Sequence, residues 1–136
     1  MSYSPTVRRL VAELPNRGRL DGAAFARAEN PVCPDTVELY LRIEGETVSA
    51  ARFQADGCPA AIASAAAVTE IVAGKTRREA LDLSVEQLVD YLGGLPEHKR
   101  HGAEIAVRAL REAVSTGART AGSQRQSSVP PSPASG

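Results

Sequence analysis

Two cysteines and an aspartate stand at the open end of a predicted β-hairpin, outside its apolar pattern. Cys33 and Asp35 come just before the first strand, and Cys58 comes just after the second. Because the strands of an antiparallel hairpin begin and end at the same edge, we expect the cysteines to lie across from each other within about one residue of register. Thiolate and carboxylate groups that converge from loop ends are typical metal ligands. The sequence therefore predicts a metal site here, with Asp35 beside both cysteines.

Cys58 also stands at the start of a predicted helix. Residues 60–73 are rich in alanine, Pro59 suits the first helical position, and Gly74 suits the position after the helix end. The free N–H groups and the dipole at a helix N-terminus favour a negative charge. We therefore expect Cys58 to be held in its thiolate, metal-binding form.

The start of the last predicted helix brings further candidates toward the same end. Lys99 and His101 lie near that start and within reach of the cysteines. Gly102 falls in line with the buried stripe of the helix, which consists of Ile105, Ala106, Ala109, Leu110 and Ala113. Glycine inside a helix costs about 1 kcal/mol relative to alanine. We expect either close packing of Gly102 against the hairpin or the loss of a functional side chain.

The hairpin is predicted from the alternation of apolar and polar residues. Residues 36–43 alternate strictly, and residues 48–55 are typical of the returning strand. A two-residue loop would set Leu39 opposite Arg52 and mix the two faces. A three-residue loop sets Leu39 opposite Phe53 and keeps one face apolar. Because burial normally decides register, we expect the second arrangement.

The remaining elements complete an α+β prediction. Residues 23–28 are expected to form an edge strand beside the hairpin. Beside the helix that follows Cys58, we expect short helices at residues 6–14 and 76–81, a capping-box helix that begins after Ser84, and a final helix from near Pro96 to about Ser115. The sequence therefore predicts a three-stranded antiparallel sheet packed against four to five helices.

Composition limits the classes of partner and compartment. The chain has 136 residues and a formal net charge of zero, which favours one domain and no nucleic-acid partner. No apolar run approaches the roughly 20 residues that span a bilayer, so we expect no membrane partner. The N-terminus has no apolar signal segment, and we expect a cytoplasmic protein. In that reducing compartment, a cysteine pair is more typical of metal binding or redox chemistry than of a disulfide.

Short motifs along most of the chain resemble the NifU/IscU-type iron–sulfur cluster assembly scaffold family, through its NifU N-terminal domain. They are collinear over about residues 30–114. They are Asn30-Pro-Val-Cys-Pro-Asp35, Ala51-Arg-Phe-Gln-Ala-Asp-Gly-Cys58, Ala61-Ile-Ala-Ser64, Thr69-Glu70, Gly74-Lys75-Thr76, Leu92-Gly-Gly-Leu-Pro96, Lys99 and His101. We therefore expect an arm or short helix at residues 1–20, a scaffold domain at 21–116 and a disordered tail at 117–136.

The resemblance implies a function in transfer rather than enzymatic turnover. A transient [2Fe-2S] cluster would be assembled from iron brought by an iron donor and sulfur delivered by a cysteine desulfurase. It would then pass to apo-protein acceptors, with a chaperone contact at Leu95 and Pro96. The same resemblance implies a compact α+β fold.

The family pattern also assigns the site residues. Cys33 matches its first cysteine, Asp35 the aspartate of the same motif, Cys58 its second cysteine and His101 the histidine before its third cysteine. That third cysteine, both a ligand and a sulfur acceptor in the family, is replaced here by Gly102. The four matching residues would still give a cluster its four ligands, because imidazole replaces thiolate in some [2Fe-2S] centres.

Alternatives remain open at this stage. The same four side chains suit tetrahedral zinc, which we expect as the resident ion after purification. Lys99 would be a cation that favours thiolate and sulfide, or a plain exposed lysine. Asp35 has a structural alternative as a strand-start residue, and His101 has one as a surface residue. Two functions compete with the scaffold: a degenerate zinc-binding adaptor or regulator of a desulfurase, and a sulfur acceptor through Cys58.

Overall fold

The chain folds as a three-stranded antiparallel sheet with five α-helices, over the residues 3–30 and 35–123 that the computed structural model describes. The strands, in spatial order, are β1 (Ala24–Glu29), β2 (Thr36–Glu44) and β3 (Thr47–Asp56). The helices are α1 (Pro5–Glu13), α2 (Pro59–Val72), α3 (Arg77–Leu81), α4 (Val85–Tyr91) and α5 (His101–Ser123), with a 3₁₀ turn at Glu97–Lys99. The predicted α+β class, with its three-stranded sheet and four to five helices, is confirmed.

The predicted hairpin register is confirmed, although a different feature produces it. Leu39 lies opposite Phe53, so the apolar residues of both strands share the inner face. The turn itself closes at the pair Glu44 and Thr47, which leaves a two-residue loop. The extra residue is Ser49, which forms a bulge where the register shifts. Burial of the apolar face therefore decides the register, and the bulge supplies the shift that the shorter loop lacks.

The helices cover the inner face of the sheet, and the outer face carries polar residues together with the aromatic pair Phe25 and Tyr40. α5 packs on β1 and β2, α2 packs on β3 and α5, and α1 packs on the far side of α2. The core is built mainly from alanine and branched aliphatic side chains, together with Phe53. The small residues of α2 let it approach the sheet and α5 closely, which brings the N-termini of both helices to the open end of the hairpin.

Two segments cover the free edge of β3. Asn16 accepts a backbone hydrogen bond from Phe53 N–H at 3.1 Å, and Gly18 N–H donates to the Phe53 carbonyl at 2.8 Å. At the other end of the strand, residues 74–77 pair with its start, where Val48 donates and accepts backbone bonds of 2.8 Å. An edge strand with its backbone groups paired in this way is protected from further strand addition.

The last helix differs from its prediction at both ends. It begins at His101 rather than near Pro96, because Pro96 opens the 3₁₀ turn, whose i→i+3 bonds precede the α-helical hydrogen bonds. It ends at Ser123 rather than near Ser115, and Gly117 is buried against β1 and β2. The helix thus continues past residue 117, where the sequence predicts the start of a disordered tail; that boundary stays a prediction, and residues from 124 lie outside the described residues. None of the described helices has the length and hydropathy that crossing a bilayer requires.

Candidate metal centre

The open end of the hairpin and the starts of two helices position three candidate ligands. The last pair of the β2–β3 ladder is Thr36 with Asp56, so Asp35 directly precedes one paired strand and Cys58 comes two residues after the end of the other. Cys58 is the N-cap residue of α2. His101 is the first residue of α5, and that helix is fixed by its packing on the sheet and on α2. Each ligand is therefore held by the end of a regular element rather than by a long loop.

Asp35 contacts both of the other candidate ligands. It is 3% exposed, and its Oδ1 accepts a hydrogen bond of 2.9 Å from Cys58 N–H. Its Oδ2 lies 2.8 Å from Nε2 of His101 and accepts a longer bond of 3.5 Å from the Cys58 thiol. One candidate ligand atom from each of the three residues lies within 4.8 Å of the other two.

The electrostatics of the site favour a charged carboxylate. Burial acts to raise the pKa of Asp35, but the hydrogen bonds from Cys58 N–H, His101 and the Cys58 thiol outweigh it and hold the pKa below its ordinary value. Two metal–ligand bonds of about 2.0–2.3 Å at a tetrahedral angle place ligand atoms roughly 3.3–3.8 Å apart. The separations around Asp35 are close to that range. The donor set of oxygen, sulfur and imidazole nitrogen therefore fits a metal ion after small side-chain movements.

The other sequence candidates have different outcomes. Cys33 lies outside the described residues, so its predicted position opposite Cys58 stays a prediction. Lys99 lies in the 3₁₀ turn and makes no hydrogen bond or ion pair with Asp35, Cys58 or His101 within the described part of the chain. Its role as a cation at the site also stays a prediction.

Leu95, which belongs to the predicted chaperone contact, is partly buried against the core.

Gly57 is a functional position that the sequence reasoning missed. Its φ is +128°, and a Cβ atom built there would lie 2.0 Å from Oδ1 and 2.9 Å from Cα of Asp35. The carboxylate therefore occupies the space that any other residue at position 57 would fill with its side chain. The available signal was a glycine directly before Cys58 at the end of a strand, which often marks a close backbone approach.

Gly57→Ala is expected to displace the Asp35 carboxylate and to weaken binding of Zn²⁺ or Co²⁺ by about tenfold or more, as loss of ligand orientation does elsewhere. The unfavourable backbone conformation should also lower stability by about 1–3 kcal/mol. Calorimetric titration and thermal unfolding measure the two effects. Gly94→Ala is the matched control, because Gly94 has φ +100° and an added Cβ meets no described atom within 4 Å. Equal loss of metal affinity in both variants would contradict the assigned role of Gly57.

Gly102 faces inward, as its place in the stripe predicts, but it packs against a different element. It is buried, and an added Cβ would lie 2.7 Å from the nitrogen and 3.0 Å from Cα of Ala61, and 2.8 Å from the carbonyl carbon of Ala60. These are backbone atoms in the first turn of α2. The expected packing against the hairpin is therefore wrong, and Gly102 instead lets the starts of α2 and α5 come into contact beside the site.

Comparisons with known proteins agree with this fold. Residues 2–121 match the family described as NifU-like N terminal domain. Iron-sulfur cluster assembly scaffold protein IscU 1 of Archaeoglobus fulgidus is 37% identical over 100 residues, covering 73% of this chain and 65% of that relative. Nitrogen fixation protein NifU of Nostoc sp. is 36% identical, covering 82% of this chain and 40% of its own length. This chain thus spans less than two thirds of either relative.

Solved structures show the same architecture. A structure described as a nitrogen-fixing NifU-like protein (N-terminal) from Brucella abortus has a TM-score of 0.67 and 17% identity, and the match covers 85% of this chain and 94% of that one. A second, described as a hypothetical protein, has a TM-score of 0.69 and 24% identity over 81% of this chain. At such identities the likeness concerns the fold alone. The family match over residues 2–121 and the relatives above 30% identity together show that this chain belongs to the NifU-like N terminal domain family.

Proposed function

We propose that this protein is an iron–sulfur cluster assembly scaffold, which holds iron and a transient [2Fe-2S] cluster before transfer to apo-proteins. The observation that carries this function is the convergence of Asp35, Cys58 and His101 on ligand atoms within 4.8 Å. The names of the relatives from Archaeoglobus fulgidus and Nostoc sp. support the same role. The expected partners are a cysteine desulfurase, an iron donor and the acceptor proteins.

Cys33 is the fourth ligand in this proposal. It lies two residues before Asp35 in the sequence and outside the described residues, so its place in the ligand set rests on its match to the first cysteine of the family pattern.

Two of the three described ligands have to free a lone pair before iron binds. The hydrogen of the Cys58 thiol, which is directed at Asp35, has to leave, and Nε2 of His101, which lies beside the same carboxylate, has to bind as an unprotonated nitrogen. The Asp35 carboxylate is already charged and offers the first contact to a cation. Cys58 and His101 are only partly buried, so bound cargo stays within reach of a partner. This mixture of one ionised ligand and two exchangeable ones suits temporary storage.

Anaerobic reconstitution with iron, sulfide and a cysteine desulfurase tests the proposal. The wild-type protein is expected to develop the visible absorbance of a [2Fe-2S] cluster, and Cys58→Ser and His101→Ala are expected to lose most of it. His98→Ala is the matched control, because His98 is exposed and is absent from the candidate ligand group. Cluster formation that is unaffected by Cys58→Ser and His101→Ala would overturn the assignment of the site.

A zinc-binding adaptor of a desulfurase is the second candidate function. It is favoured by Gly102, whose contact with α2 leaves no room for a third cysteine. In this case the purified protein holds zinc and binds the desulfurase, but the reconstitution gives no cluster absorbance. Metal analysis, together with desulfurase binding in the same reconstitution, separates the two functions.

A further inference from the structure

A polar cavity of about 310 Å³ lies on the outer face of the sheet, away from the helices. The segment of residues 16–19, called the strap below, crosses from the edge of β3 and forms one wall. Arg17 and Arg19 of the strap both line the cavity, on either side of the bend at Gly18. The opposite walls come from β1, β2 and β3.

The strap is held in place by its backbone rather than by its charged side chains. Within the strap, Asn16 and Gly18 share backbone hydrogen bonds with Phe53, and the Asn16 side-chain amide donates to the Thr69 hydroxyl at 3.2 Å. Gly18 has φ +142°, and an added Cβ there would lie 3.4 Å from Cδ of Arg52. The guanidinium groups of Arg17 and Arg19 are therefore left free to serve another purpose from a fixed backbone.

The charges around the cavity are only partly paired. Arg27 contacts Glu29 and Glu38, and Glu38 also accepts a hydrogen bond of 3.0 Å from the Tyr40 hydroxyl. Among the described residues, Arg17 and Arg19 have no carboxylate partner. Glu38 and Asp56 also line the cavity, so three arginines face two carboxylates and the lining keeps a net positive charge.

We propose that this cavity binds a small ligand that carries two or more carboxylate groups. Guanidinium groups bind carboxylates through paired hydrogen bonds, and two of them at one wall match two carboxylates. The volume suits a small molecule, since ligand pockets begin at about 300 Å³. Thr36 and Gln54 add polar side chains to the lining, and Asp56 restricts the ligand to one with a hydroxyl donor beside its carboxylates.

The cavity adjoins the candidate metal centre through the end of the hairpin. Thr36 and Asp56 form the last pair of the ladder. Thr36 comes directly after Asp35 in the sequence, and Asp56 comes directly before Gly57. Asp35 turns into the interior, whereas Thr36 lines the outer cavity. The two sites share this backbone but no ligand atom, so the proposal stands independently of the proposed cluster function.

Calorimetric titration of the full chain with citrate and with malate tests the proposal. Saturable 1:1 binding is expected for at least one of them, and the double variant Arg17→Gln/Arg19→Gln should weaken it by about tenfold or more, because two charge-assisted hydrogen-bonding groups are lost. Arg42→Gln/Arg78→Gln is the matched control. This control removes the same net charge from two exposed arginines outside the cavity. The affinity of the control variant for citrate or malate should stay within about twofold of wild type.

Three results would overturn the proposal. The first is no saturable binding of either acid, provided that circular dichroism shows the protein to be folded. The second is equal weakening by both double variants, which would indicate a general effect of net charge. The third is tighter binding of a glutamate-rich hexapeptide than of citrate, which would indicate a surface for an acidic protein segment. Backbone amide shifts at Thr36 and Asp56 on addition of citrate would support the assigned location.

Discussion

Gly102→Cys is expected to lower the stability of the protein and to leave its cluster yield no higher than that of wild type. A Cβ atom at this position would lie 2.7 Å from the Ala61 nitrogen and 2.8 Å from the Ala60 carbonyl carbon. These backbone atoms cannot rotate away as a flexible side chain would, so α2 and α5 must separate. Overpacking of this kind costs about 1–3 kcal/mol, which corresponds to a fall in melting temperature of roughly 5 °C or more.

Gly102→Ala separates the effect of the Cβ atom from that of the thiol. Helix propensity alone predicts that alanine stabilises this position by about 1 kcal/mol, whereas the contact with α2 predicts the opposite sign. Ser115→Cys, on an exposed part of the same helix, controls for an added thiol. Thermal unfolding and anaerobic reconstitution of all three variants give the answer. A Gly102→Cys protein that keeps its melting temperature and gains cluster would contradict the steric account.

This result bears on why a glycine stands at position 102. The sequence left two interpretations of Gly102 open: close packing, or the loss of a functional side chain. The structure supports the first, with the first turn of α2 as the packing partner. The backbone of that turn occupies the space that a side chain at position 102 would fill. A cysteine introduced at position 102 is therefore not expected to add a ligand unless the first turn of α2 moves away.

The elements of the fold were predictable because each has a strong local pattern. Strict alternation identifies β2, and the capping box of Ser84 with Gln87 identifies α4, where both reciprocal hydrogen bonds are present. The end of α5 was not predictable from composition. Residues after Gly117 are polar and small, but the helix continues because Gly117 fits against Ile43 and Ala24 on the sheet. A tertiary contact here outweighs the local composition.

The candidate site was predictable in its residue types but not in its steric details. Topology alone brings Asp35 and Cys58 together, since both flank the same end of one hairpin. The space that Gly57 leaves for the Asp35 carboxylate depends on distances of 2–3 Å, which no spacing in the sequence encodes. The cavity at Arg17 was missed for a similar reason, because the strap reaches the outer face only through backbone pairing with β3.

Asp35→Ala is expected to have the second large effect, on metal affinity and on the stability of the metal-free protein. It removes the acceptor of three hydrogen bonds, two from Cys58 and one from His101. Loss of a buried acceptor costs about 1–3 kcal/mol, so the melting temperature should fall by several degrees. The loss of a proposed direct ligand should weaken binding of Co²⁺ by more than the roughly 10–100-fold that removal of an outer partner produces.

Asp35→Asn separates the effect on stability from the effect on metal affinity, and Asp90→Ala is the control. The asparagine keeps an oxygen for Cys58 N–H but carries no charge, so it should retain most of the stability and lose most of the metal affinity. Asp90 is exposed on α4 and its removal should change neither quantity. If the Asp35→Ala variant melts at the wild-type temperature and binds Co²⁺ as tightly as wild type does, then the Asp35 carboxylate neither stabilises the site nor binds the metal. Cys58 and His101 would in that case be neighbours without a common ion, because Asp35 is the residue that hydrogen bonds to both.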